Sequence, residues 1–175
     1  KAMIPFRLAL LIALLLASTT ACVKAPADTP ETRLKELDIT LPEVSPSIAN
    51  YVPVVRTGNL LFVAGHIPRD AEGAVITGKL GENTSVEEGY EAARITAISL
   101  LATLKSELGD LSRVKRVVKV FGMVNAAPDF TGHSQVINGC SDLLVQVFGE
   151  NGRHARAAAG FSSLPVGAVV EIQLV

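Results

Sequence analysis

Arg156 sits in Ala155-Arg156-Ala157-Ala158-Ala159-Gly160, a run whose other members are all small. A guanidinium is a rigid, permanently charged fork that matches a carboxylate through two parallel hydrogen bonds. Buried in an apolar strand it needs a partner, because an uncompensated buried charge costs several kcal/mol. The small neighbours leave room beside it, and that room suits a small carboxylate ligand. The competing reading is a structural ion pair, with Glu171 as the acid. Residue type and spacing allow both.

The remaining reactive side chains form no recognisable cluster. His66, His133 and His154 are far apart in sequence and read as surface or hydrogen-bonded histidines rather than metal ligands. There is no His-x-x-x-His, no Cys-x-x-Cys, no phosphate-cradling glycine loop and no serine nucleophile elbow. No metal site is expected. Cys140 reads as a small buried residue on a helix. Arg113, Lys115, Arg116 and Lys119 form a basic cluster, but no aromatics interleave it for base stacking, so it reads as a solvated entry into a strand. The formal net charge of -1 likewise argues against nucleic acid as the main partner.

These residues belong to a chain of 175 residues, 49% hydrophobic and 5% aromatic, with no Trp. That composition describes one domain with an aliphatic core. Its first 21 residues read as a lipoprotein-type signal peptide. Arg7 precedes an apolar run from Leu8 to Ala17, and Thr19-Thr20-Ala21-Cys22 resembles a lipobox in which Cys22 is lipidated. The run falls short of the about 20 apolar residues of a spanning helix. Lys1 and Ala2 precede a plausible start at Met3. Lipidation of Cys22 leaves Cys140 alone and places the protein on the periplasmic side of a bacterial membrane. Beyond residue 21 there are 14 basic residues against 17 acidic ones. Residues 22–40 read as a linker and a short helix opened by Pro30-Glu31.

Residues 41–175 read as the folded domain. Tyr51 to Arg56 and Leu60 to His66 predict a hairpin around Thr57-Gly58-Asn59, and Ala74 to Thr77 a further short strand. Ser85-Val86-Glu87-Glu88 is a capping box, and Tyr90, Ala93, Ala97, Leu101, Leu104 and Leu108 recur at helical spacing as far as Gly109. A Val-rich strand covers Val114 to Val124. A second helix, capped by Asp129, buries Val136, Cys140, Leu143, Leu144 and Val147. Arg156 to Ser163 and Ala168 to Val175 predict two final strands. The order β-β-β-α-β-α-β-β implies an α+β fold, a mostly antiparallel sheet with two helices on one face. The other face stays apolar, which implies burial against copies of the chain.

In this order the motifs resemble the reactive-intermediate deaminase (Rid, or YjgF-type) family, also called the liver perchloric-acid-soluble protein family. Ala155-Arg156, then Leu164-Pro165 and Val170-Glu171-Ile172, match its C-terminal signature. Ser45-Pro46, Asn50-Tyr51-Val52 and Thr57-Gly58-Asn59 are similar to its N-terminal pattern, and Phe62-Val63-Ala64-Gly65-His66-Ile67-Pro68 resembles its Ser-Gly-Gln-Ile-Pro strand. Gly109-Asp110-Leu111, Val117-Val118-Lys119, and Val124-Asn125 through Asp129-Phe130 agree as well. Val136-Ile137-Asn138-Gly139 resembles a subgroup with a longer second-helix region.

The resemblance implies a chorismate-mutase-like fold, a homotrimer, and ligand sites in clefts between subunits. It also implies cofactor-free hydrolysis of enamines and imines such as 2-aminoacrylate to 2-oxo acids and ammonia. Arg156 falls on the family's essential arginine, Glu171 on its site acid and Tyr51 on its site tyrosine. In that reading Arg156 grips the substrate carboxylate, Glu171 holds the attacking water or relays its proton, and Tyr51 supplies a hydroxyl. Ala64, Gly65, Ala158 and Asn138 line the substrate. A C-terminal hairpin sets Glu171 opposite about Gly160, roughly 13 Å along the strand from Arg156. This chain departs from the pattern at Ala64 for a hydroxyl residue, His66 for Gln, Ala158 for Cys and Gln173 for a second acid. A non-catalytic trimer binding small carboxylates is the alternative, and an endoribonuclease, the family's older label, a third.

Overall fold

The computed structural model describes residues 28–44 and 49–175; the expected signal peptide, Cys22 and Ser45-Pro46 lie outside the described residues. Helix α1 (Pro30–Glu36) opens with a reciprocal cap between Thr29 and Thr32. Its Leu34 is buried in the main core, and its Glu31 accepts a hydrogen bond from the Leu111 N–H at 2.9 Å. Strands β1 (Val54–Thr57) and β2 (Leu60–His66) form the expected hairpin. Gly58 turns it at φ 56°, where a side chain would be strained. Ala74 to Thr77 is not a strand but makes isolated bridges, Val75 to Arg69 and Thr77 to Ala168. A tight turn, closed by Gly73 N–H donating to the Asp70 carbonyl, leaves too little length for a ladder.

Helix α2 (Val86–Leu108) is capped as the sequence implies: Ser85 and Glu88 satisfy each other's backbone N–H, and Gly109 ends it at φ 78°. Ala93, Ala97, Leu101 and Leu104 form its buried face. Strand β3 (Lys119–Asn125) begins later than Val114. The Val117 and Val118 N–H groups are already taken by the carbonyls of Asn151 and Val175. Of the basic cluster, Arg113 ends a short 3-10 helix (Leu111–Arg113), Lys115 and Arg116 lie in irregular chain and Lys119 opens β3, all four exposed at the entry to the strand. Helix α3 (His133–Phe148) buries the expected stripe, but Gly132 is its N-cap and Asp129 does not cap it. A turn, Phe130 N–H to Ala127 carbonyl, comes first. At Gly139 the absent side chain lets the Tyr90 carbonyl of α2 lie against α3.

Strands β4 (Ala155–Phe161) and β5 (Val170–Leu174) complete a five-stranded sheet of order β1-β2-β5-β3-β4. All pairs are antiparallel except β3 with β4. The expected C-terminal hairpin is therefore absent, because β3 lies between β4 and β5. Helix α3 provides the crossover that a parallel β3–β4 pair requires, and β3 takes the edge β4 would otherwise offer to β5. Helices α2 and α3 cover one face, over Val120, Val124, Val170, Ile172 and Leu174. Among the described residues no helix is long and apolar enough to cross a membrane. The opposite face carries Val55 and Phe62 near one edge and Phe121 with Phe161 near the other, their rings 6.5 Å apart.

Candidate functional site

Side chains alternate across a strand, so register fixes which face each site residue occupies. Arg156 pairs with Val120, which is buried under the helices, so Arg156 shares the helix face at edge strand β4. Gly160, two steps of two further on, meets the His133 ring of α3. Arg156 is exposed rather than buried, because β4 has no outer neighbour and α3 reaches it only from one side. Its Nη1 donates to Asn138 Oδ1 at 2.8 Å and to Ser141 Oγ at 3.1 Å. Both acceptors are neutral. Nε and Nη2 have no hydrogen-bond partner among the described residues, and no carboxylate pairs with the guanidinium there. The fork is oriented from one nitrogen and open at the others.

Ser141 and His154 extend this arrangement; His154 is the hydrogen-bonded histidine the sequence suggested, while Ser141 was not singled out. His154 Nδ1 lies 2.7 Å from the Gly152 carbonyl and so donates to it, which leaves Nε2 to accept from the Ser141 hydroxyl at 3.0 Å. Burial, and then the Arg156 charge, lower the His154 pKa and keep the ring neutral near pH 7. Two spacings carried the signal: Asn138 and Ser141 are i and i+3 on one helix, and His154 precedes Arg156 by two, hence on the same strand face.

Glu171 lies elsewhere. Its chain neighbours Val170 and Ile172 face the helices, so Glu171 points to the other side of the sheet, with its carboxylate directly over Gly65. Only a residue without Cβ leaves space there. Burial raises the Glu171 pKa, and no cation or hydrogen-bond donor among the described residues offsets it. Glu171 pairs with Met123, which pairs with Ala159; Arg156 is thus two strands over and three residues along, roughly 14 Å away. The competing reading, an ion pair between them, is not seen among the described residues, and the two do not share a pocket within one subunit.

Of the other expected site residues, Asn138 contacts Arg156 directly, and Ala158 shares its face, packed against the core. Ala64 is half-buried beside the irregularity in β2–β5 pairing, where its N–H donates to the Pro53 carbonyl. Tyr51 is exposed, and no hydrogen bond holds its hydroxyl among the described residues. His66 donates from Nδ1 to the Ala64 carbonyl (2.9 Å) and accepts at Nε2 from Thr103 (2.8 Å), so both nitrogens are occupied. Cys140 is fully buried, and burial pushes its thiol up to about 12. Among the described residues no three His, Cys, Asp or Glu side chains converge as a metal cluster.

Comparison with known proteins agrees with this architecture. Residues 31–175 match the model of a family described as "YjgF/chorismate mutase-like, putative endoribonuclease". The chain is similar to protein TCP17 of Trypanosoma cruzi, 47% identical over 140 residues that cover 79% of this chain and 88% of that one. It is also similar to a RutC family protein of Pyrococcus abyssi, 30% identical over 130 residues, covering 73% and 86%. A crystal structure of a "putative endoribonuclease" from Shewanella oneidensis superposes with a TM-score of 0.80 at 35% identity, covering 83% of this chain and 97% of that one.

Proposed function

We propose that this chain, which belongs to the YjgF/Rid family, hydrolyses small enamine or imine carboxylates to 2-oxo acids and ammonia without a cofactor. The observation that carries this reading is the Arg156 fork, oriented by Asn138 and Ser141, without a counter-ion among the described residues, and open at Nε and Nη2. A carboxylate is the ligand that geometry fits best.

The chemistry needs one water per turnover. An enamine tautomerises to its imine, and water adds to the imine carbon as the nitrogen gains a proton. The amine nitrogen of this adduct then takes a second proton, the C–N bond breaks and ammonia leaves with the electron pair, while the hydroxyl gives up its proton as the carbonyl forms, so that no net proton is gained or lost. Glu171, its pKa raised by burial, is the group we assign to carry protons in these steps. Since Arg156 and Glu171 of one subunit face apart, the site is assembled between copies, with Arg156 from one and Glu171 from another. The apolar open face with Val55, Phe62, Phe121 and Phe161 supports a homotrimer as the assembly. Tyr51, exposed in one subunit, has its place at that cleft wall.

Ammonia release from freshly generated 2-aminoacrylate tests the proposal. Release faster than the uncatalysed rate, lost in Arg156→Ala, is expected; a rate equal to buffer alone contradicts it. A second reading, carboxylate binding without turnover, is favoured by Ala64 and Ala158, which bring no hydroxyl or thiol to the site. Cys22, in our proposal, carries a lipid that holds the domain at the periplasmic side of the membrane.

A further inference from the structure

The basic stretch before β3, which the proposed reaction does not use, frames a second site. Leu61 and Val63 of β2, Leu104 of α2, Leu174 of β5, and Val117 in the chain before β3 line a cavity of about 500 Å³ at the end of the sheet away from the β3–α3 turn. Ligand pockets span about 300–1,000 Å³. Arg56, Arg113, Lys115 and Arg116 stand around it. All four are exposed, no acidic side chain lines the cavity, and none of the four forms an ion pair among the described residues. Arg113 is instead held by the Leu108 carbonyl at 2.7 Å, and Arg56 by that of Gly58 at 3.2 Å. No aromatic side chain lines the cavity, so it offers nothing for a base or ring to stack on.

We propose that this cavity binds an anionic amphiphile, its aliphatic body against Leu61, Val63, Leu104 and Leu174 and its head among Arg56, Arg113, Lys115 and Arg116. The site is independent of Arg156. An anionic head and an aliphatic body are the features of both a free acyl carboxylate and an acidic phospholipid.

Calorimetric titration of the full chain with decanoate below its micellar concentration tests the site, with acetate and decyltrimethylammonium as controls. Saturable decanoate binding is expected, with neither control competing. Lys115→Glu/Arg116→Glu, at two exposed positions, is expected to weaken it by at least about tenfold, the effect of about 1.4 kcal/mol, without lowering the melting temperature. Displacement of decanoate by phosphatidylglycerol vesicles, but not by phosphatidylcholine vesicles, identifies a membrane lipid as the source; retention of decanoate identifies a free amphiphile. Absence of saturable binding overturns the proposal, and so does equal affinity in the double variant or equal binding of decyltrimethylammonium. Loss of decanoate binding in Arg156→Ala also overturns it, since the probe then sits at the Arg156 site.

Discussion

Arg156 and Glu171 stand on opposite faces of one sheet, separated by β3, so no single subunit can close both around a ligand. Arg156 sits at the exposed edge beside α3, held by neutral partners. Glu171 sits on the side the helices leave bare, over Gly65. The proposed chemistry therefore depends on how copies of the chain meet.

The chain is expected to form a trimer through the bare face. Phe62→Glu places a charge on that face at a residue already 45% exposed in the subunit. Light scattering at micromolar concentration should give a trimer for the wild type and a smaller species for the variant. A wild-type monomer contradicts the shared cleft.

Gly65→Ala is expected to slow hydrolysis more than it weakens ligand binding. The added methyl occupies the space of the Glu171 carboxylate. That carboxylate ends a flexible side chain and swings away at low cost in stability, whereas the Arg156 grip is untouched. Turnover measured beside 2-oxo acid affinity separates the two; a parallel loss of both would falsify distinct roles for the two groups.

Stability is expected to fall on acidification partly through His66. Burial depresses its pKa below the ordinary 6.5, and both ring nitrogens are engaged in the neutral form. Below pH 6.5 the unfolded chain binds the proton more readily than the folded one, so this contribution is complete above that value and is lost as pH falls. Melting curves from pH 8 to pH 5 should be less steep in His66→Gln. Identical slopes contradict the assignment.

Cys22→Ser is expected to move the full-length protein from the membrane fraction to the soluble one in a bacterial host. An acyl chain contributes about 0.8 kcal/mol per buried CH₂, so two or more chains hold firmly. Unchanged fractionation contradicts lipidation.

How legible the fold was depended on the range of each interaction. Helix α2 was readable because Ser85, Glu88 and Gly109 announce its ends locally and its apolar period runs unbroken. The β1–β2 hairpin was readable for the same reason, through Gly58. The place of β3 between β4 and β5 was not readable. Adjacent strands in sequence pair often enough to suggest a hairpin, and only the α3 crossover decides otherwise. The Arg156 site was half legible. Its charge among small residues left a ligand grip and an ion pair both open, and the family resemblance named Asn138, which the structure places against it. The Ser141–His154 contacts rely on the approach of α3 to β4. The exposure of Arg156 follows from β4 being an edge, a fact of topology that local sequence does not encode.

The proposed function depends on Arg156 gripping a carboxylate, and titration of a 2-oxo acid against wild type and Arg156→Ala tests that directly. A hydrogen bond to a charged group contributes about 1.5–3 kcal/mol, so loss of the fork is expected to weaken binding at least about tenfold. Arg156 pairs with no acid among the described residues and is exposed, so melting temperature and assembly should stay near those of the wild type. Wild-type affinity in Arg156→Ala, with the fold intact, contradicts a carboxylate grip by Arg156.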